Sequence, residues 1–493
     1  MTTETFLAFD FGAQSARAVL GCLENKRLEI SEEYRFRTGG IRVGDTLRWD
    51  ILQFFDEIKI GCKHVAQKLD DKLVGIGIDS WGVDYVLLDH AGNLVSLPYH
   101  YRDNRTNKIS QDVFKIVSKE KIYDITGIQF MQINTIFQLY SMVRDKNPDL
   151  LRAKTFLHIA DFFHYLLTKK VACEYTLATT SQLYDLHEKR WSYELIDKLG
   201  LNSKIFPEIV PHSTIIGPLL PNLSEEVGVK DVSVIAPATH DTGAAIAAIP
   251  ATHSDFIYIS SGTWSLLGTE LAEPLVSEES LKNNFTNEGG VFGTIRLLKN
   301  ISGLWILSEC KKIWDGSKAS TFTELNREAS EAKAFQSFID PDASLFLNPK
   351  NMIAALQSYC KSTKQPIPRS RGEIVRCILE SLAMKYKLAC SLLKKMVNRT
   401  FKTIHIIGGG SQNRLLSQFT SNSTGLEVRT GPVEATAIGN ILTQIASQRT
   451  PIKLIDLRKI VRNSFEINTL VPQDTSDWED AYQRFVEILK QLS

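Results

Sequence analysis

The chain has no run of about 18 uninterrupted apolar residues, the length a membrane-spanning helix requires. Its nearest candidate, residues 232–251, is broken by His240, Asp241 and Pro250. The opening residues Met1-Thr2-Thr3-Glu4-Thr5 lack the basic and apolar regions of a secretory leader. Together these absences predict a cytoplasmic protein with no membrane partner. Seven cysteines (22, 62, 173, 310, 360, 377 and 390) are odd in number and form no C-x2-C pair. That argues against a secreted disulfide framework and against a structural zinc site, and predicts buried thiols serving as small apolar groups. Formal net charge is only +1, so no broad field draws the chain toward nucleic acid or an anionic surface. Two nucleotide signatures are missing as well. The absence of G-x4-G-K-[ST] excludes a P-loop, and no G-x-G-x-x-G follows a strand, which argues against a dinucleotide fold.

What is present fits a two-domain α/β protein. A length of 493 residues is long for one core, and 43% hydrophobic with 23% charged residues is ordinary globular composition. Apolar, β-rich runs alternate with amphipathic stretches. Strands are expected at Phe6–Phe9, Arg17–Cys22, Leu28–Arg35, Leu73–Asp79, Tyr85–Leu88, Val232–Ala236 and Thr403–Ile407. Helices are expected over Trp49–Leu69, through much of Ser110–Tyr193, after Asp241 up to Pro250, over Gly372–Lys395, and after Asn413. Residues 311–372 read as peripheral helices and loops. An offset of 250 residues lays Phe256 on Phe6, Ser260 on Asp10, Gly262 on Gly12 and Ser265 on Ser15, a thin hint of duplication. The domain boundary is placed near 246–254, giving domains 1–250 and 251–493.

Three turns rich in Gly, Ser and Thr follow apolar strands: Gly12–Ser15, Ser260–Ser265 and Gly408–Ser411. Such turns point backbone N–H groups outward, where phosphate oxygens can sit. Tight turns also need glycine for their own geometry, and it is the recurrence that favours phosphate. Asp10 ends a strand just before the first turn. It could hold Mg2+, through water because Mg2+ keeps much of its hydration shell, or simply stabilise the turn. Asp241 lies in a small, apolar stretch where a carboxylate needs a reason to be. It is either a helix N-cap or a general base taking a proton from a hydroxyl under phosphoryl transfer. Trp81, Gly82 and Asp84, with Tyr99–Asp103 behind them, supply the mix of aromatic and polar groups a sugar pocket offers, although Trp81 could equally be core. His240 is either a structural histidine or a substrate contact.

These segments together resemble the FGGY family of carbohydrate kinases over nearly the whole chain. The resemblance rests on Asp10-Phe11-Gly12-Ala13 with Ser15 and Arg17, on Gly77-Ile78-Asp79-Ser80-Trp81-Gly82-Val83-Asp84, and on Tyr101-Arg102-Asp103. It continues through His240-Asp241-Thr242, Ser260-Ser261-Gly262-Thr263-Trp264-Ser265, Thr286-Asn287-Glu288-Gly289-Gly290, Leu298-Lys299-Asn300-Ile301 and Gly408-Gly409-Gly410. It implies two ribonuclease-H-like domains of the actin and hexokinase type flanking a catalytic cleft. It also implies ATP- and Mg2+-dependent phosphorylation of L-rhamnulose at its 1-hydroxyl. The partners would then be a small sugar and ATP, with no nucleic acid, in a monomer or weak homodimer. By matching motif, Ala13, Gln14, Ser15, Ala16, Arg17, Thr263 and Gly409 resemble nucleotide-binding positions. Gly82, His240 and Thr242 resemble substrate contacts, Asn300 a ligand-contacting Asn, and Asp241 the base. Members often carry Gly where this chain has Ala16. Ser308 stands where some have a nucleotide-site Gln, and Thr420 and Thr424 stand where some have a short Cys pair. Cys360 and Cys377 match positions disulfide-bonded in some members, and are expected to be mainly reduced in a cytosol. Competing expectations are a kinase for L-fuculose or D-xylulose, and an actin-like ATPase that hydrolyses ATP without a sugar.

Overall fold

A computed structural model describes residues 3–69, 72–316, 319–347, 349–449 and 451–491. It separates the chain into two compact units. The first comprises Met1–Pro250, Glu270–Leu297 and Ala435–Ser464, and the second Ala251–Thr269, Leu298–Glu434 and Phe465–Ser493. In this division residues 270–297 and 435–464 group with the first unit. Both carry residues that matter below.

The first unit is built on a six-stranded sheet in the order Thr214–Pro218, Ser233–Ala236, Leu73–Ser80, Glu4–Phe11, Ser15–Glu24, Arg27–Arg37. Glu4–Phe11 runs antiparallel to Ser15–Glu24 and parallel to Leu73–Ser80, which in turn is parallel to Ser233–Ala236. Its residues from Thr5 to Phe11 are all buried, because helices cover both faces of the sheet. The register sets Asp10 opposite Arg17 on one side and Asp79 on the other. Cross-strand neighbours share a face, so one sheet end carries two acids and a guanidinium side by side. A parallel bridge between Ser80 and His240, with the Ser80 N–H donated to the Thr239 carbonyl at 2.8 Å, brings the loop before Asp241 to that same end.

The helix Ala435–Ser447 lies on this sheet, its Gln444 amide donating to the Leu7 carbonyl at 3.0 Å. Close approach explains the facing glycines. A Cβ on Gly77 would stand 2.7 Å from the Asn440 Oδ1, and one on Gly21 2.6 Å from Ile441.

The second unit repeats the opening gesture of the first. Phe256–Ser261 turns back through Gly262 into Trp264–Leu271 antiparallel, then pairs parallel with Thr403–Ile407, which is followed by Glu427–Thr430 and Asn468–Leu470. In each hairpin a glycine N–H closes the turn, Gly12 to the Ser15 carbonyl at 3.0 Å and Gly262 to that of Trp264 at 2.8 Å. The 27-residue helix Arg371–Val397 starts at a capping box between Ser370 and Glu373. The stretch expected to be mostly helical contains Ile109–Ile116, Lys119–Thr126, Thr135–Arg144, Pro148–Arg152, Ile159–Thr168 and Tyr175–Thr180. All seven cysteines are free thiols, six of them buried and Cys22 half-buried. Among the described residues no helix is long and apolar enough to cross a membrane.

Gly439 is the tightest helix contact in the first unit, since a Cβ there would lie 1.7 Å from the Ala244 carbonyl oxygen. Gly439→Ala must therefore push Ala435–Ser447 off Asp241–Ala247. The substitution is expected to lower unfolding stability by about 1–3 kcal/mol or more, read as a shift in the denaturant midpoint.

Candidate active site

Three carboxylates define the site in the first unit. Asp10 is gripped by Arg17, whose Nε and Nη2 both donate to Asp10 Oδ2 at 3.0 and 2.8 Å. Asp79 is fully buried. The Asn440 amide donates to its Oδ2 at 2.6 Å, while its Oδ1 has no hydrogen-bond partner. Burial first, and the negative charges of Asp10 and Asp241 after it, hold the Asp79 carboxyl well above the usual range. Asp241 is the most open of the three, with 30% of its side chain exposed. Crowding by protein, then repulsion from Asp10, pushes its pKa up to about 7.

Asp241 is not an N-cap. His240 occupies that position, and Asp241 is the first residue of the helix Asp241–Ala247. Its hydrogen bonds come from the adjacent Thr242, whose N–H and hydroxyl both donate to Oδ1. The loop in front is fixed from below by Glu174. One oxygen of that buried carboxylate accepts from the Thr239 N–H at 3.1 Å, the Thr239 hydroxyl at 2.6 Å, the Thr176 N–H at 2.9 Å and the Thr176 hydroxyl. The Thr176 oxygen in turn accepts from the His240 N–H at 3.0 Å. Thus Asp241 sits on a short buried segment with little freedom.

His240 itself lies beside Arg296, Glu288 and Asp241. Arg296 Nη2 is 2.9 Å from its Nδ1, Glu288 Oε2 is 3.5 Å from the same atom, and its Nε2 is 3.4 Å from Asp241 Oδ1. Burial, with the Arg296 charge second, drives the imidazole pKa well below its ordinary value, so the ring is neutral.

The expected sugar residues are only partly where a sugar could reach them. Asp84 is 1% exposed and satisfied on both oxygens. Oδ2 accepts from Trp49 at 2.6 Å, Trp81 at 3.0 Å and the Tyr101 N–H at 3.2 Å, and Oδ1 from Gln138 at 2.9 Å. Asp84 is therefore a hub that orients others, not a carboxylate presented to a sugar, and burial lifts its pKa to about 6. Trp81 is likewise core, its ring centroid 4.3 Å from that of Trp49, which stacks on His100 at 4.0 Å. Gly82 is half-buried, in a turn where Val83 takes φ +70, a costly conformation for a β-branched residue. That turn is pinned by the Thr180 hydroxyl oxygen, which accepts from the Val83 N–H at 3.3 Å, and by the Thr135 hydroxyl donating to the Val83 carbonyl at 2.7 Å.

Of the nucleotide-type positions, Gln14 is exposed, Ala13 and Ser15 are half-buried, and Ala16 is buried in the apolar core, so its side chain is not available to a ligand. Arg17 has its guanidinium on Asp10 rather than free in the turn. Thr263, Asn300, Ser308 and Gly409 lie in the second unit. There the turns converge: Ser260 pairs with Ile407 in register, and a Cβ on Gly410 would stand 2.1 Å from the Ser261 hydroxyl. Thr263 and Gly409 are exposed at this sheet end, and the Thr263 carbonyl accepts from Gly303 and Trp305 at 3.1 and 3.2 Å. Trp305 opens the helix Trp305–Asp315, which carries the half-buried Ser308 in its first turn. Asn300 is half-buried on the strand Ile295–Ser302, in the part of it that belongs to the second unit. No role was expected from the sequence for Asp79, Glu174, Glu288, Arg296 or Asn440. Asp79 is an acid inside an apolar strand, and Asp79, Glu174 and Glu288 lie in stretches that carry the family resemblance; Arg296 and Asn440 carry no local signal.

Residues 5–248 match the N-terminal domain, and residues 257–447 the C-terminal domain, of the FGGY family of carbohydrate kinases. The chain belongs to that family, and is a kinase with its two-domain, mixed α/β fold of the actin and hexokinase type. It is 42% identical to the rhamnulokinase of Bacteroides thetaiotaomicron over 98% of this chain and 99% of that protein. To the rhamnulokinase of Oceanobacillus iheyensis it is 42% identical over 94% and 97%. Among solved structures, a ligand-bound xylulose kinase from Lactobacillus acidophilus matches with a TM-score of 0.83 at 17% identity, covering 99% of this chain and 98% of that one. Plasmodium falciparum glycerol kinase with ADP matches at 0.78 and 15%, covering 98% of each. At those identities the likeness shows the fold alone.

The hub role of Asp84 is open to test. Asp84→Ala leaves two indole N–H groups and an amide without their acceptor in a dry interior. It should destabilise the protein by on the order of 3–5 kcal/mol, with a changed near-ultraviolet dichroism from Trp49 and Trp81. Asp84→Asn, which keeps an acceptor, should cost less.

Proposed function

We propose that the protein transfers the γ-phosphoryl group of ATP to the 1-hydroxyl of L-rhamnulose, with Asp241 as general base. The observation that carries this reading is Asp241 itself: a partly open carboxylate, held on a rigid buried loop, with a pKa of about 7. A base poised there accepts a hydroxyl proton near neutral pH without being too weak to matter. The full-length similarity to rhamnulokinases supports L-rhamnulose as the sugar. Gly82, His240 and Thr242 are assigned to sugar binding in the first unit, and Asn300 to ligand contact in the second.

Kinases of this family use ATP as co-substrate, generally with Mg2+. The residues present fit such an ion. Asp79 Oδ1 is a buried acceptor without a partner, and burial, with the charges of Asp10 and Asp241 after it, holds its carboxyl well above the usual range. Among the described residues no three acids, histidines or cysteines are arranged to grip a metal directly. Asp10 and Asp79 would therefore hold Mg2+ through its water shell. Bound there, the ion would neutralise charge on the phosphoryl oxygens. Ala13, Gln14 and Ser15 are assigned to phosphate through their backbone turn, and Thr263, Ser308 and Gly409 to the nucleotide. Dependence on ATP and seven free thiols suit a cytoplasmic setting, the near-zero net charge suits a protein with no nucleic-acid partner, and a monomer or weak homodimer is the proposed assembly.

Coupled ADP release with Mg-ATP across L-rhamnulose, L-fuculose, D-xylulose and glycerol should show strong preference for L-rhamnulose. Turnover of another of these sugars instead would overturn the substrate. ADP release that ignores added sugar would point to an ATPase. With L-rhamnulose, Asp241→Asn should lower kcat by about 10²- to 10⁴-fold and leave ATP affinity near normal. A variant of native activity would remove Asp241 from this role. Because Asp241 must be ionised to act, kcat/KM of the unaltered protein should climb as pH rises through about 7. Below that value it should fall tenfold per pH unit.

A further inference from the structure

A neutral imidazole presents one donor and one acceptor, and which nitrogen is which depends on its partners. His240 has a partner that leaves no choice. Arg296 is a fully buried guanidinium, a group with donors only. Its Nε donates to the Gly289 carbonyl at 2.9 Å, its Nη2 is 3.1 Å from Glu288 Oε2, and the same Nη2 lies 2.9 Å from His240 Nδ1. Nδ1 must then be the acceptor, and the proton resides on Nε2, the nitrogen 3.4 Å from the Asp241 carboxylate. Had Arg296 been absent, Glu288 Oε2, 3.5 Å from Nδ1, would have favoured the opposite form, with Nδ1–H donated to the acid and a bare Nε2 facing Asp241.

We propose that Arg296 is a positioning residue for phosphoryl transfer: through Nδ1 of His240 it fixes the Nε2–H tautomer, so that a hydrogen-bond donor faces the Asp241 side of the site. The inference rests on the assignment of Asp241 as base made above. The donor does two things there. It turns an N–H rather than a lone pair toward the Asp241 oxygen that Thr242 also holds, 3.4 Å away, and it is a neutral N–H available to a substrate oxygen beside the base. The bare Nε2 of the other tautomer would instead set a lone pair against a carboxylate. Arg296 reaches this place only because Glu270–Leu297 belongs to the first unit. Its remaining Nη1, buried without a hydrogen-bond partner, marks it as held for this contact at some cost.

The test is the nitrogen spectrum of the imidazole in protein labelled with 15N-histidine. The His240 signals are assigned by their loss in His240→Asn. The unaltered protein should show a protonated Nε2 and an unprotonated Nδ1, unchanged in Glu288→Gln. A protonated Nδ1 in the unaltered protein, or one created by Glu288→Gln, overturns the proposal whether or not any Arg296 variant folds. Arg296→Met should shift the tautomer and lower kcat with L-rhamnulose by about 10- to 100-fold, more than it raises KM. Arg296→Lys, which keeps a donor, should restore part of kcat and the native spectrum. An Arg296→Met protein with the native spectrum also sinks the idea. Should the unaltered protein turn over no sugar, the functional reading fails, while the spectrum still decides the tautomer.

Discussion

A carboxylate works as a base near neutral pH only if something keeps it from ionising too easily. In this chain Asp241 is kept from ionising by burial first and by a neighbouring negative charge second. Asp10, Asp79 and Asp241 are gathered at one end of the first unit's sheet by strand register and by the Ser80–His240 bridge. Repulsion from Asp10 adds to burial, and the joint effect is a pKa of about 7 at Asp241. The rest of the site reads as a response to that charge. Arg17 takes the load from Asp10, Asn440 from one oxygen of Asp79, and Thr242 from one oxygen of Asp241. What is left over is chiefly Asp79 Oδ1, a buried acceptor without a hydrogen-bond partner.

Crowding of this kind is useful only if the acids cannot move apart, and the surrounding hydrogen bonds show how that is prevented. Glu174 and Asp84 are buried acids of a different sort, gathering donors from distant segments, Glu174 onto one oxygen and Asp84 onto both. Glu174 ties Thr176 to Thr239 and, through Thr176, to His240. Asp84 ties two tryptophans and a glutamine to the turn that carries Gly82, and Gln138 is itself held by Arg105 at 2.7 Å. Leaving a buried acid unsatisfied is costly, whereas one satisfied by several donors rigidifies its neighbours. The chain thus uses acids twice, as charge at the site and as fasteners beneath it.

Much of this was legible in the sequence, and the boundary of legibility has a physical origin. Strand and helix patterns follow from local periodicity, which is why Tyr85–Leu88 and Thr403–Ile407 are found at the expected residues. The three small-residue turns and Asp241 were visible because they break apolar runs. What could not be read was convergence. Nothing near Asp84 announces that Trp49 and Gln138 will close over it, so it looked like a sugar contact. Nothing near Arg296 or Asn440 announces that segments 270–297 and 435–464 fold back onto the first unit. For Ala16 the limit is simpler: motif matching names a position, but strand alternation decides that its side chain faces Phe11 and Phe36 in the core, leaving only its backbone for a ligand.

The two hairpins, alike in backbone, separate chemistry from shape. Where the first unit has Asp10 opposite Arg17, the second has Ser260 opposite Leu266, so the acidic function was placed in only one of them. The second keeps the open, small-residue turn. Within Gly408–Gly410, two glycines are required by the unit's own geometry. Gly408 has φ +80, and Gly410 is pressed against the Ser261 hydroxyl. Gly409 is different: it is exposed, its φ is not positive, and nothing lies within 4 Å of where its Cβ would be. No internal contact asks for glycine there. A backbone that must be approached closely by something outside the fold does ask for it, and that supports the assignment of Gly409 to the nucleotide on grounds independent of any motif.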